Sequence, residues 1–411
     1  MSPFEAPRGT HDILPAEQPL WRLVLAEAES LCVAYGYQRI QTPGFEDTEL
    51  FRRTSGAGSD VVQKEMYTFT DRADRSLTLR PEGTAPIARA YLEHGLHRQP
   101  QPQKLYTIAT MYRYAAPQRG RWREHWQLSV EAIGSADPAI DAELIQLYAE
   151  LLGRLGLRGW KLRLNSIGDR ACRPQYLERL ASWLDEHEDA LDEEARNKRA
   201  TSPLRVFDVK NEGVLAALAD APKIGESLCA ACRDHFDAVQ RQLERCGVPY
   251  ELAPTLVRGL DYYTRTAFEF VDEAIGAQSS ICGGGRYDYL VEELDGPATP
   301  GIGFGAGLDR LMLSLRDQGI GAEPPALDVF FAVEDAAARP EALAVMAGLR
   351  RAGLACDTDY AGRSLKGQLT QAGRANARVT VIVRADGVTV RERGEPDVEV
   401  TLSELAARLS R

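Results

Sequence analysis

Residues 103–133 hold two strand patterns, Gln103–Tyr114 and Trp126–Ile133, on either side of a Pro/Gly turn, which predicts a β-hairpin. Four arginines, Arg113, Arg119, Arg121 and Arg123, crowd into the eleven residues around that turn. Guanidinium is planar, always charged and suited to clamping phosphate through two parallel hydrogen bonds. Read alone, the cluster is either a phosphate site or a solvated basic hairpin. On the second strand, Gln127 and Glu131 are four residues apart. The two-residue period of a strand puts them on one face, and a polar face on a core strand points to a ligand site.

Around the hairpin, residues 16–36 read as an amphipathic helix. Strand patterns follow at Gln38–Gln41, Glu65–Thr70 and Leu77–Leu79, then a helix at 138–156 and a strand at Lys161–Asn165. Between Pro174 and Cys246 the pattern turns helical and acidic, with seven acids and no Lys or Arg in 181–194. Strands resume at Tyr263–Val271. The Pro/Gly-rich stretch Gly319–Ala326 reads as a linker. Beyond it strands and helices alternate, as in a small α/β domain. The fold class is therefore α+β, with boundaries near 1–170, 171–250, 251–320 and 326–411.

Composition removes several functions. The balance of 49 basic and 60 acidic residues gives a net charge of −11, which argues against non-specific DNA binding and leaves room for a specific RNA partner on local basic patches. No apolar run approaches the roughly 18 residues a membrane helix needs, and no signal peptide is evident. Seven scattered cysteines fit reduced thiols in the cytoplasm better than a disulfide scaffold. The P-loop signature is absent. Gly301-Ile-Gly303-Phe-Gly305-Ala306 matches the loose dinucleotide pattern, but it sits far down the chain, where such glycines usually serve tight packing.

Three further stretches carry chemistry. Leu256-Val-Arg-Gly-Leu-Asp-Tyr-Tyr263 joins a cation, Arg258, to a carboxylate, Asp261, and two phenols, Tyr262 and Tyr263. Arg258 is suited to neutralising charge on a phosphorus centre; the plainer alternative pairs it with Asp261. Gly283-Gly-Gly-Arg-Tyr-Asp288 contains three consecutive glycines, which are costly unless something must approach the backbone closely. Gly301–Arg310 is a Gly-rich strand feeding a helix that carries Asp309 and Arg310. Arginine-bearing segments at 113, 258 and 310 suggest one distributed site for ATP.

With these residues together, the chain resembles the bacterial histidyl-tRNA synthetases, class II aminoacyl-tRNA synthetases, over nearly its whole length. Pro3–Asp12 is similar to the family's N-terminal signature, and 36–51 to class II motif 1 with Pro43 at the dimer-interface position. Residues 111–134 resemble motif 2, and Gly301–Leu313 motif 3. LVRGLDYY (256–263) and GGGRYD (283–288) resemble the two histidine-specific blocks. The resemblance implies a six-stranded antiparallel catalytic sheet, a helical insertion, a C-terminal anticodon-binding domain and a homodimer. It implies L-histidine, ATP with Mg²⁺, and the histidine tRNA as ligands. Glu82 and Thr84 would hold the α-amino group, and Gln127 the amino acid backbone. Glu131 and Tyr263 would read the imidazole, with Tyr262 and Tyr287 nearby. Arg113 would hold the α-phosphate, Arg121 and Arg310 would bind ATP, and Arg258 would stabilise the pentacoordinate phosphorus.

The likeness has a gap and two open points. Where motif 2 usually has Glu-Arg, this chain has Ala115-Ala116. Base selection would then use backbone contacts, and the tRNA acceptor end would lean on Gln118, Arg119 and Arg121. In the C-terminal domain, 363–393 holds seven basic residues against Asp386 and Glu392. Within it GRSLKGQLTQAGR (362–374) resembles the family's anticodon-domain signature, which assigns Arg363 and Lys366 to tRNA. Cys229-x-x-Cys232-x-x-His235 has zinc-like spacing, with Cys246 the nearby fourth candidate. On a helix that spacing is also one buried face, and no metal site is assigned. The competing function is a catalytically silent paralogue, either a histidine-sensing regulatory subunit or an RNA-binding regulator.

Overall fold

The computed structural model describes residues 4–56, 59 and 61–409; Pro3 and the last two residues of the chain lie outside the described residues. The chain divides into two units, Met1–Ala322 and Glu323–Arg411, and the division falls inside the Pro/Gly-rich linker. The first unit contains strands β1 Gln38–Arg39, β2 Phe45–Asp47, β3 Tyr67–Thr70, β4 Ser76–Leu79, β5 Gln103–Tyr112 and β6 Glu124–Ile133. It continues with β7 Lys161–Ser166, β8 Glu251–Leu252, β9 Thr264–Val271, β10 Ser280–Arg286 and β11 Gly301–Gly307. Eight of these form one sheet in the order β1-β5-β6-β11-β10-β9-β7-β8. The six strands from β5 to β7 pair antiparallel throughout. The short edge strands β1 and β8 are parallel to their neighbours.

The sheet is apolar on one face and polar on the other, as period-two alternation requires. On the apolar face Leu128, Val130, Phe268, Phe270, Ile281 and Phe304 pack against the helices Gln18–Ala34, Pro138–Arg154 and Ala230–Arg245. The inserted helices between β7 and β8 have their own core, from Cys172 and Tyr176 to Leu228 and Cys232. Their last helix is shared between two cores, because Val239 and Leu243 belong to that of the sheet. The three-stranded sheet β2-β4-β3 is separate.

A buried polar hub ties these layers. Asp141, on the helix Pro138–Arg154, is fully buried. It pairs with Arg286 of β10, accepts a 2.6 Å bond from the Thr266 hydroxyl of β9, and lies 2.9 Å from His235 Nε2 on the helix Ala230–Arg245. Arg286, also fully buried, donates to Asp288 at 3.0 Å and to the Ser135 carbonyl at 2.5 Å. His235 is thus a structural partner of Asp141.

The second unit has β12 Val329–Val333, β13 Cys356–Thr358, β14 Val379–Arg384, β15 Gly387–Glu392 and β16 Val398–Val400, in the order β13-β12-β14-β15-β16. The first three are mutually parallel and the last two antiparallel. Helices cover both faces: Met346, Leu349 and Leu405 pack on Val329, Phe331 and Val381, and Ala372 on Phe330 and Ile382. This is the α/β domain the alternation predicts.

Removing one member of a buried charge pair strands the other. Asp141→Ala should therefore cost about 3–5 kcal/mol in urea unfolding, as uncompensated buried charges do. A loss below ~1 kcal/mol, the range of exposed pairs, would show that the hub is not a tie.

Candidate active site

The polar face of the sheet is floored with glycine. Gly283 and Gly285 on β10 lie opposite Gly305 and Gly303 on β11. In the same rows stand Ser129 and Glu131 of β6 and Glu269 of β9. A Cβ on Gly283 would collide with the Arg258 guanidinium, and one on Gly303 with the Glu131 carboxylate. On Gly285 it would meet the Tyr263 ring at 2.9 Å, and on Gly305 the Gln127 amide at 2.8 Å. The glycine-rich segments are therefore strands whose missing side chains let four polar side chains lie flat on the backbone. The dinucleotide pattern at 301–306 is accounted for in this way.

Above this floor is a cavity of about 460 Å³. Arg113, Arg121, Arg258 and Arg310 line it together, with Glu82, Thr84, Gln127, Tyr262 and Tyr263. Each arginine is anchored. Arg113 Nε donates to the Pro81 carbonyl at 2.7 Å, Arg310 to those of Gly120 and Ser280 at 2.7 Å each, and Arg121 pairs with Glu65. Arg258 pairs with Glu269 at 3.0 Å, not with Asp261, which accepts from Ser202 at 3.4 Å. Its buried Nε has no hydrogen-bond partner among the described residues. Burial, together with the charges of Arg113 and Arg121, pushes Arg310 down to about 10. Arg121 and Arg258 are balanced by Glu65 and Glu269, whereas Arg113 and Arg310 are held by carbonyls, which leave their charge for an anionic ligand.

The Glu82 end of the cavity is built differently. Glu82 is buried and accepts from the backbone N–H groups of Thr84 at 2.7 Å and Ala85 at 2.8 Å. It thereby sits at the N-terminus of the helix Thr84–Glu93, where the helix dipole favours an anion. Thr84 in turn donates to Glu131 at 2.7 Å, and the Tyr287 hydroxyl donates to the other Glu131 oxygen at 2.6 Å. Glu131 and Tyr287, expected at the imidazole-reading wall, are not on the cavity surface; they form the buried layer behind it. Burial pushes Glu131 up to about 8, against the hydroxyls that favour its charge.

Other expected residues fall elsewhere. Ala115 lines the cavity, whereas Gln118 and Arg119 do not. Arg119 is half-exposed and pairs with Asp317 at 2.6 Å. In the second unit the basic stretch is largely neutralised. Arg363 pairs with Asp359, Arg384 with Glu334, and Arg391 with Asp397. Lys366 is exposed on the helix Leu365–Arg374. The residues that sequence reasoning missed are His125, Glu269, Arg205 and Asp208, all lining the cavity. His125 is driven down to about 3 by burial and by Arg113 and Arg310, so it is neutral there. Glu269 was detectable as a charge in mid-strand, whereas Arg205 and Asp208 reach the cavity from the inserted helices.

The sequence profile of the family described as Histidyl-tRNA synthetase matches residues 9–311. The chain belongs to the histidyl-tRNA synthetase family. A histidine–tRNA ligase of Pelotomaculum thermopropionicum is 48% identical over 378 residues, covering 92% of this chain and 89% of that protein. One of Geobacter sulfurreducens is 43% identical over 98% of this chain and 99% of its own length. Among solved structures, apo histidyl-tRNA synthetase of S. aureus superposes with a TM-score of 0.84 at 35% identity, covering 99% of this chain and 100% of that one. A protein of Bacillus halodurans described as an ATP phosphoribosyltransferase regulatory subunit/histidyl-tRNA synthetase superposes at 0.66 with 24% identity, a likeness of fold alone. The antiparallel sheet with its histidyl-tRNA synthetase likeness is the class II fold.

The raised Glu131 carboxyl has a consequence for stability. Between its ordinary value of 4.5 and about 8, the folded chain holds a proton that the unfolded chain has released. Stability therefore falls as pH rises through that window. Glu131→Gln should flatten this slope in urea unfolding measured from pH 5 to 8; an unchanged slope would show that Glu131 does not titrate there.

Proposed function

We propose that the chain activates L-histidine with ATP and transfers it to the 3′-terminal ribose of the histidine tRNA. The observation that carries this reading is the convergence of Arg113, Arg258 and Arg310 from three distant segments on one cavity. In the first step the histidine carboxylate oxygen attacks the α-phosphorus, the bond to the β-phosphate oxygen breaks, and pyrophosphate leaves. An anion approaches an anion, so fixed positive charge is what the step needs. Arg113 holds the α-phosphate, Arg258 meets the charge building on phosphorus, and Arg121 and Arg310 take the outer phosphates. In the second step a tRNA ribose hydroxyl, losing its proton, attacks the acyl carbon of the histidyl-adenylate; the bond to the phosphate oxygen breaks and AMP leaves.

Glu82 and Thr84 take the α-amino group, and Gln127 the amino acid backbone. Tyr263, with Tyr262 beside it, faces the imidazole. Glu131, behind the pocket wall, accepts from Thr84 and Tyr287 and so positions Thr84 for the ligand. A site built to bond a polar group rejects analogues lacking it by about 10⁴–10⁵. Among the carboxylates lining the cavity, Glu269 and Asp309 would offer oxygen donors to Mg²⁺; Asp309 Oδ1 accepts no hydrogen bond among the described residues and lies 3.6 Å from His11 Nε2. Bound with ATP, the ion would offset phosphate charge.

The protein works as a homodimer in the cytoplasm in this reading. Exposed Phe45 and Phe69 pair at 6.1 Å on the small sheet and offer an apolar face to a second copy. Seven free cysteines fit a reducing compartment, and no helix among the described residues is long and apolar enough to cross a membrane. The second unit reads the anticodon. With so many of its arginines paired, base edges and stacking carry more of that recognition than charge does.

Histidine-dependent ATP–pyrophosphate exchange tests the reading against a silent paralogue. The wild type should exchange, and Arg258→Lys should lose on the order of 10²–10³ in kcat, as loss of one transition-state donor does. No exchange in the folded wild type would refute it. Replacing Arg363 and Lys366 together by Ala should weaken tRNA charging and leave exchange at the wild-type rate. Equal loss in both assays would remove the second unit from tRNA binding.

A further inference from the structure

The two ends of the inserted helices meet in a cluster unconnected with ATP. Asp169-Arg-Ala-Cys172 precedes the helix Arg173–Glu186, and Cys229-Ala-Ala-Cys232 opens the helix Ala230–Arg245. One potential ligand atom from each of Asp169, Cys172, Cys229 and Cys232 lies within 4.8 Å of all the others. The Sγ atoms of Cys172 and Cys232 are 3.8 Å apart, and Cys172 Sγ is 3.7 Å from Asp169 Oδ1. Tetrahedral zinc with Zn–S bonds of about 2.3 Å has S···S edges of about 3.8 Å. A disulfide needs about 2.05 Å, and all seven cysteines are free thiols.

We propose that Asp169, Cys172, Cys229 and Cys232 form a structural Zn²⁺ site that clasps the base of the inserted helical module. The ligand set is two knuckles of equal spacing, one at each end of the module. Cys172 and Cys232 are buried and Cys229 half-buried, so the site is closed, with no coordination position left for a substrate. Three soft thiolates select zinc over magnesium or calcium. The supporting shell is in place. Asp169 Oδ1 accepts from the Ala171 N–H at 3.0 Å, and Oδ2 accepts from Arg265 at 3.2 Å. Arg265 also offsets part of the charge of four anionic ligands. A Cβ on Gly168, which has φ of +63°, would lie 2.7 Å from Cys172 Sγ, so the turn that aims the first knuckle needs glycine. The sequence motif C-x-x-C-x-x-H misleads about the partners: His235 serves Asp141, and Cys246 is outside the cluster. The clasp adjoins the amino-acid pocket, because Arg173, next to Cys172, donates to the Tyr263 carbonyl at 2.7 Å.

The test uses the full-length protein, stripped of metal with a chelator under reducing conditions and titrated with Co²⁺. The expected result is one Co²⁺ per chain, with the visible bands of a tetrahedral centre and thiolate-to-cobalt charge transfer, displaced by Zn²⁺. Cys172→Ser and Cys232→Ser should each abolish the bands, Cys246→Ser should retain them, and Asp169→Cys should intensify the charge transfer. An octahedral spectrum, or no bands in the wild type, overturns the proposal without reference to any variant. Bands surviving in both Cys172→Ser and Cys232→Ser overturn it as well.

Discussion

Gly283, Gly285, Gly303 and Gly305 leave no room for a side chain, because Arg258, Tyr263, Glu131 and Gln127 already occupy the space where a Cβ would point. Close approach to bare backbone is what lets a mid-sheet surface hold a deep polar cavity. With ordinary strand residues at these positions, that face would be filled and the arginines would be driven into solvent. The opposite face of the same strands is conventional: Phe268, Phe270 and Phe304 are buried against helices. The sheet is thus rigid because one side is packed, and functional because the other side is bare. The Asp141 hub holds β9 and β10 to the helices beneath and so keeps the floor in register.

The chemistry follows from the electrostatics of that floor. Five arginines, Arg113, Arg121, Arg205, Arg258 and Arg310, line one cavity with the carboxylates Glu65, Glu82, Asp208, Glu269 and Asp309, and Arg310 is lowered to about 10 by burial and then by Arg113 and Arg121. An anion beside Arg310 would offset that lowering. The carbonyl anchors at Pro81, Gly120 and Ser280 hold the arginines in position, so little reorganisation remains at the moment of reaction. The Glu82 end is held by layered hydrogen bonds, with Glu82 set by a helix N-terminus and Thr84 set by Glu131.

Much of this was legible from residue pattern. The hairpin at 103–133, the arginines at 113, 258 and 310, and the α/β second unit all follow from period, turn chemistry and charge. The glycine runs announced a close approach, but the visitor was hidden, because strand register across β10 and β11 is not a local property. Glu131 reads as a surface-facing residue by its period; only the packing of Thr84 and Tyr287 over it shows that it is buried. The basic stretch 363–393 read as a patch because its acidic partners, Asp328, Glu334 and Asp359, lie outside that stretch of sequence. For the same reason Asp169 and Cys172 stayed invisible as partners of Cys229 and Cys232, some sixty residues away.

The most direct measurement is a crystal structure of the chain with ATP and histidinol, which lacks the attacking carboxylate and so leaves the triphosphate intact. The phosphates of one ATP should lie within hydrogen-bond distance of Arg113, Arg258 and Arg310, with the imidazole against Tyr263 above the glycine floor. A nucleotide bound elsewhere, or the three guanidinium groups turned towards different ligands, would contradict that arrangement.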